Sequence, residues 1–402
     1  MSIYPAFCSR LIVALLFLSG CALADPAEVR GVWIDRSSLV SREEIRVTMQ
    51  QLSESNFNLV LVNVWSRGYP LWQSRVFEKE TGMLTDPGYA GRDVLLEVIE
   101  EARPFGLAVM PWVEYGFIGG YSGYYPGQGG RGPIFDVHPD WIAKTRQGET
   151  RFTAPGGYFY WMIHTHPDVQ SFVISLMEEL GRNYETIGIQ FDRSRYPQLD
   201  CGYDDYTINL YQREHNGSGP PADPANSEWV RWRADKINLF VKTLYKRLKA
   251  VNRALLVSNA PGVYPYAYVN FAQDYPGWMR DGALDFTVPQ IYRKDIATYL
   301  DELNRQIAAV PSIETFVPGI DITNSNPEEL VKMIEAGREK NLPGVVVWYY
   351  RGLKDSGAFE VLRRTVFRGR ARMPWAVSRS NIRLNRSIPG PPRSSLTQTL
   401  ML

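Results

Sequence analysis

Two acidic residues each close a short apolar run: Glu114 after residues 107–113 and Asp192 after residues 187–191. Side chains alternate along a strand, so each run divides into two faces. In the first run Leu107, Val109, Pro111 and Val113 suit a covered face, and Ala108, Met110, Trp112 and Glu114 fall on the other. In the second, Gly188, Gln190 and Asp192 share one face. Both carboxylates then stand at the carboxyl ends of strands. A pair of carboxyl groups can cleave a glycosidic bond: one protonates the leaving oxygen, and the other attacks the anomeric carbon or activates water. Burial beside Trp112 or Tyr196 would raise the pKa of the acid. Asp321 and Asp35 end similar runs and are further candidates.

Other chemistries lack their residues. The four histidines, His138, His164, His166 and His215, form no spaced zinc motif, although His164 and His166 come nearest to a ligand pair. No Gly-x-Ser-x-Gly elbow and no phosphate loop occurs. No lysine ends a strand where a Schiff base would form. No metal and no cofactor is therefore expected.

Strand-like runs recur at residues 29–35, 59–65, 107–114, 187–192, 255–259, 286–292, 316–321 and 345–350. Helical patterns lie between them at 43–55, 92–103, 169–183, 229–251, 296–309 and 327–340, with weaker ones at 268–280 and 356–366. This alternation predicts an α/β fold, a (β/α)8 TIM barrel. An open doubly wound sheet is the alternative, weakened because no Gly-x-Gly-x-x-Gly turn follows the first strand. Long loops follow strands 3 and 4, at residues 116–166 and 196–226. Both leave the strand ends that build the active site of such barrels. The same alternation brings Asp192, Glu114 and Asp321 to that rim as catalytic candidates. Substrate-binding candidates are Trp33, Asp35, Asn63, Trp65, Trp112, Arg195, Tyr196, Asn259, Gln290, Tyr292 and Trp348.

The chain has 402 residues, enough for one large domain, and a net charge of +1, which gives no argument for nucleic acid. Residues 1–24 read as an export signal, with an apolar run at 11–18 too short to span a bilayer. Leu18-Ser19-Gly20-Cys21 has the residue types of a lipoprotein signal, which would make Cys21 a lipid-bearing membrane anchor. Cleavage after Ala24 is the competing reading. The protein is expected to be exported, either periplasmic or held as a lipoprotein, the outer membrane included. Of three cysteines only Cys201 lies beyond this leader, so no intramolecular disulfide is available. Residues 28–367 carry the barrel pattern. Residues 368–402, rich in arginine and without an acidic residue, read as a disordered basic tail.

Several stretches together resemble one family. They are Arg30-Gly31-Val32-Trp33, Asn56-Phe57-Asn58, Asn63-Val64-Trp65, Gly91-Arg92-Asp93 and Trp112-Val113-Glu114-Tyr115-Gly116-Phe117. Further on come His138-Pro139-Asp140-Trp141, Gly188-Ile189-Gln190-Phe191-Asp192, Trp229-Val230-Arg231-Trp232-Arg233 and Pro289-Gln290-Ile291-Tyr292. Over residues 28–352 the chain is similar to the glycosyl hydrolase-like 10 family. The resemblance implies a barrel glycosidase of the bacterial envelope that acts on peptidoglycan glycan strands, denuded strands above all. It makes Asp192 the acidic residue of the fourth strand. Where some members carry a second acidic residue directly after it, this chain has Arg193. An exopolysaccharide hydrolase and a non-catalytic glycan-binding lipoprotein are the alternatives.

Overall fold

The structure is a computed structural model and describes residues 25–124 and 130–375. The leader with Cys21, and the tail from residue 376, lie outside the described residues.

Eight parallel strands form the centre: β1 (Val29–Ile34), β2 (Leu59–Asn63), β3 (Ala108–Val113), β4 (Gly188–Phe191), β5 (Leu256–Asn259), β6 (Phe286–Thr287), β7 (Gly319–Asp321) and β8 (Gly344–Trp348). They run in sequence order, with β1 paired to β8. Parallel bridges Thr287–Phe316 and Gln290–Gly319 join β6 to β7 and close the ring, as the sequence pattern predicts. Helices cover the outside: α1 (Arg42–Glu54), α2 (Val94–Ala102), α3 (Pro167–Asn183), α4 (Ser227–Val251), α5 (Tyr275–Arg280), α6 (Ile296–Ala309), α7 (Pro327–Glu339) and α8 (Ala358–Arg364). Side-chain oxygens start most of them: Ser41, Asp93, Asp295 and Asn326 each accept an N–H from the first turn of α1, α2, α6 and α7. The pattern at 268–280 is not one helix. Ala272, with φ +54, ends a short helix at Tyr266–Phe271, and Asp274 caps α5 ahead of Pro276. Proline is tolerated in a first turn and not in a helix interior.

Two apolar layers result from the alternation. The outer one lies between strands and helices and includes Val32, Val60, Val109, Ile189 and Val257. The inner one fills the barrel with Val29, Trp33, Leu61, Met110, Trp112, Phe286 and Val346. Burying each of the larger side chains contributes about 2 kcal/mol. The barrel's closing segment extends past residue 367, which corrects the tail boundary. Arg372 bridges Ala27, and Trp375 stacks on Phe286 at 4.6 Å. Met373 and Trp375 are apolar enough to seal the floor of the barrel, whereas the arginines around them give the segment a disordered composition.

Outside the barrel, the loop after β3 builds a three-stranded antiparallel sheet from Ile118–Tyr121, Phe152–Ala154 and Gly157–Trp161. A short hairpin, Trp65–Ser66 with Tyr69–Pro70, follows β2.

Candidate active site

Neighbouring strands β3 and β4 deliver the two acids side by side, since Trp112 pairs with Gln190 and Val113 with Phe191. Glu114 and Asp192 are the next residues of each strand. They are 7% and 5% exposed, so both are largely withdrawn from solvent. The loops that follow are locked together. Arg193 takes the left-handed conformation, with φ +48, and its N–H donates to Asp192 Oδ1 at 2.6 Å. A non-glycine residue in that region costs about 1 kcal/mol, which the bond to its own neighbour helps to offset. Gly116, with φ +46, lets the β3 loop touch this turn. A Cβ there would stand 2.3 Å from the Asp192 carbonyl oxygen.

The two carboxyls differ in surroundings. Burial pushes Glu114 up to about 7; the Arg193 guanidinium opposes this, Asp192 and Asp35 add to it, and the hydrogen bond from Asn63 opposes it. Arg193 Nη2 stands 3.4 Å from Glu114 Oε1, and Asn63 Nδ2 donates to Oε2. Burial also raises Asp192, but more groups hold it down: Arg193, Arg195, the Arg193 N–H and Trp112. The Trp112 indole N–H lies beside this carboxyl without forming a regular hydrogen bond. Gln290 Nε2 donates to Asp192 Oδ2 at 3.3 Å and to the Ala260 carbonyl at 3.1 Å. Burial raises both carboxyls, and Asp192 has the larger set of cations and donors opposing it; unlike surroundings of this kind are what assign acid and base roles to paired carboxyls.

Beneath the acids, three indoles meet. Trp33, Trp112 and Trp348 have centroids 5.7–6.2 Å apart in every pairing. The Trp33 N–H donates to Gln190 Oε1 at 2.7 Å, and Gln190 Nε2 donates to Ser258 at 2.9 Å. Tyr292 stacks over Trp348 at 6.3 Å. Burial raises the Tyr292 phenol far above its usual range, and Asp192, Asp321 and Glu114 add to that in turn. Tyr292 therefore faces all three acids. Tyr292 also borders a hollow of about 460 Å³ lined by Arg293, Lys294, Thr298, Asp301, Arg305 and Asn324, on the α6 side and apart from the two acids.

The other sequence candidates fall into two groups. Asn63, Gln290, Tyr292, Trp33, Trp112, Trp348 and Arg195 stand around the two acids, as described. Asp35 is close enough to act on Glu114, but it caps its own turn by accepting from Ser37. Asp321 is held in the same way. Its Oδ1 accepts from the Thr323 N–H and hydroxyl, and Asn324 donates to its Oδ2.

Three candidates are displaced. Asn259 points out of the barrel and accepts from Thr287 at 2.8 Å. The inward residues of β5 are Leu256 and Ser258, followed by Ala260, one position from the expected phase. Trp65 leaves the mouth because β2 ends at Asn63 and the hairpin turns its indole outward against Phe77 and Phe172. Tyr196 is 1% exposed and packs on His164 at 4.3 Å and under Arg233 at 5.3 Å, so it wedges the loop from behind. His164 gives its Nε2 to the Arg195 carbonyl at 2.7 Å, and His166 caps α3. The two rings thus serve separate structural contacts. The sequence reading did not pick out Arg193 as a site residue, nor Tyr115, whose ring lies 4.9 Å from the Arg193 guanidinium.

Comparisons with known proteins agree with the barrel fold. The chain is 23% identical over 304 residues to glycosyl hydrolase YngK of Bacillus subtilis (strain 168), covering 66% of this chain and 54% of the relative. It is 23% identical over 311 residues to glycosyl hydrolase DigH of Escherichia coli (strain K12), covering 66% and 65%. The chain thus spans less than two thirds of either relative. Among solved structures it is similar to the PgaB (BpsB) glycoside hydrolase domain from Bordetella bronchiseptica, with a TM-score of 0.64, 12% identity and coverage of 84% and 98%. It is also similar to the catalytic domain of a beta-amylase from Paenibacillus polymyxa, with a TM-score of 0.61, 11% identity and coverage of 85% and 99%. These likenesses carry the barrel fold. The model of the glycosyl hydrolase-like 10 family matches residues 28–318, and the chain belongs to that family.

Proposed function

We propose that this protein is an exported glycoside hydrolase that cuts glycosidic bonds in peptidoglycan glycan strands, denuded strands above all. One observation carries the proposal: Glu114 and Asp192 sit buried on adjacent strand ends, with Arg193 in contact with both, above a floor of indoles. In this reading Glu114 holds the proton near neutral pH and delivers it to the leaving oxygen. Asp192, with more cationic and donor neighbours, is the carboxylate that serves the anomeric carbon, directly or through water. Arg193 acts on both groups and favours the ionised form of each. Trp348 and Tyr292 offer flat apolar faces to a sugar ring. The choice of peptidoglycan follows the family resemblance and the lipoprotein-like leader. An anchor at Cys21 would hold the enzyme at the membrane, and lipid labelling lost in Cys21→Ser would support it.

The test is incubation of the purified protein with denuded strands, with the products weighed by mass spectrometry. Fragments from the native protein, and none from Asp192→Asn, support the reading. A native protein that binds glycans but releases no fragment from denuded strands or from several exopolysaccharides would instead be a binding module.

A further inference from the structure

Arg195 has no carboxylate at ion-pair distance among the described residues, although Asp192 acts on it from farther off. It lies half-buried between the β3 and β5 loops, with its guanidinium 4.4 Å from the Phe271 ring and 5.6 Å from Trp161. Its one hydrogen bond within the described residues runs from Nη1 to the Tyr196 carbonyl, at 3.2 Å. No carboxylate among the described residues pairs with it, and residues 1–24, 125–129 and 376–402 contain no aspartate or glutamate. Burial lowers its pKa to about 10 and neighbouring Arg193 lowers it too, against Asp192 and Tyr266.

Arg233 shows how this fold treats an arginine that only holds loops together. That side chain donates to the carbonyls of Leu199, Cys201 and Pro224. Arg195 gives up one donor and keeps the rest of a planar fork, which suits a carboxylate held by two parallel bonds. It stands three residues after Asp192 on the loop that leaves β4, and the two charges act on each other. Tyr266, 58% exposed and within its reach, adds an aromatic wall at the rim.

We propose that Arg195 is an anion subsite at the barrel mouth, taking a carboxylate carried by a sugar next to the bond that is cut. The inference rests on the hydrolase reading of Asp192 and Glu114 and names its substrate class: acidic glycans. Two sources share this chemistry. One is a lactyl ether carboxylate, exposed when a stem peptide is removed. The other is a uronic acid.

The experiment measures equilibrium binding of four probes to the whole protein: denuded strand fragments, their methyl esters, oligogalacturonate and its methyl ester. The native protein is expected to favour one free acid over its ester by about tenfold, the scale of a charge-assisted pair. The acid–ester pair that shows the preference identifies the source. In Arg195→Gln the ratio falls to about one, and Arg195→Lys keeps part of it. Equal binding of acid and ester by the native protein, or a ratio that survives in Arg195→Gln, would overturn the proposal. If the ratio holds while no glycan is cut, the subsite stands and the hydrolase reading fails. If glycans are cut but no ratio is seen, the hydrolase reading stands and the subsite fails.

Discussion

Replacing Glu114 by glutamine removes one titration and nearly nothing else, because the two side chains have the same shape. The pKa of Glu114 lies at about 7 in the folded chain, against an ordinary 4.5. Below about pH 4.5 the carboxyl is protonated whether the chain is folded or not, and it has no pH-linked effect. Above about pH 7 it is ionised in both states, and the buried anion destabilises the fold. The gap between the two values corresponds to about 3 kcal/mol. Native protein should therefore lose about 3 kcal/mol relative to Glu114→Gln as pH rises from about 4 to about 8.5. Urea unfolding of both proteins, followed by tryptophan fluorescence at several pH values, measures the difference directly. Groups not coupled to Glu114 cancel in it. A stability difference that stays flat with pH, or that grows in favour of the native protein, would refute the idea that burial holds the Glu114 proton.

Three further substitutions probe the surroundings. Arg193→Gln removes the largest influence that lowers Glu114, so the alkaline limb of the kcat/KM profile should move up by about one pH unit. Gly116→Ala forces a Cβ against the Asp192 carbonyl in a backbone with φ +46. It should cost about 2 kcal/mol in thermal or urea unfolding and lower kcat more than it raises KM. Tyr196→Phe removes a buried hydroxyl that has no hydrogen-bond partner among the described residues. Stability should change by less than about 0.5 kcal/mol and KM should hold, whereas a substrate-binding Tyr196 would raise KM.

The eight-unit ring is legible because parallel strands under helices are continuous apolar runs, and because helix caps and loops punctuate them. The mouth is legible where a strand ends on a polar side chain that has no reason to be there, as with Glu114, Asp192 and Gln290. Phase fails in β5, where Ser258 and Asn259 are adjacent and both polar, so that a one-residue slip exchanges Asn259 for Ser258. Trp65 is misplaced when β2 is carried past its end. The pair Arg67-Gly68, with φ +60 and +87, makes the reversal and is the available signal. Arg193 escapes a linear reading because its role depends on a left-handed turn that brings a basic side chain back over an acid on the neighbouring strand. Aromatic motifs do not all serve the mouth. Trp229 and Trp232 stack on each other at 5.2 Å, and Arg233 beside them ties down the long loop, all away from the two acids.

The pairing of Glu114 as acid with Asp192 as base or nucleophile is tested most directly by leaving-group dependence. Rates on a glycan that the native protein cleaves would be compared with rates on a dinitrophenyl glycoside of the same sugar, whose leaving group needs no proton. Glu114→Gln should lose at least about a hundredfold on the glycan and little on the activated glycoside, while Asp192→Asn should fail on both. Equal losses for Glu114→Gln on the two substrates, or full activity in Asp192→Asn, would contradict the account.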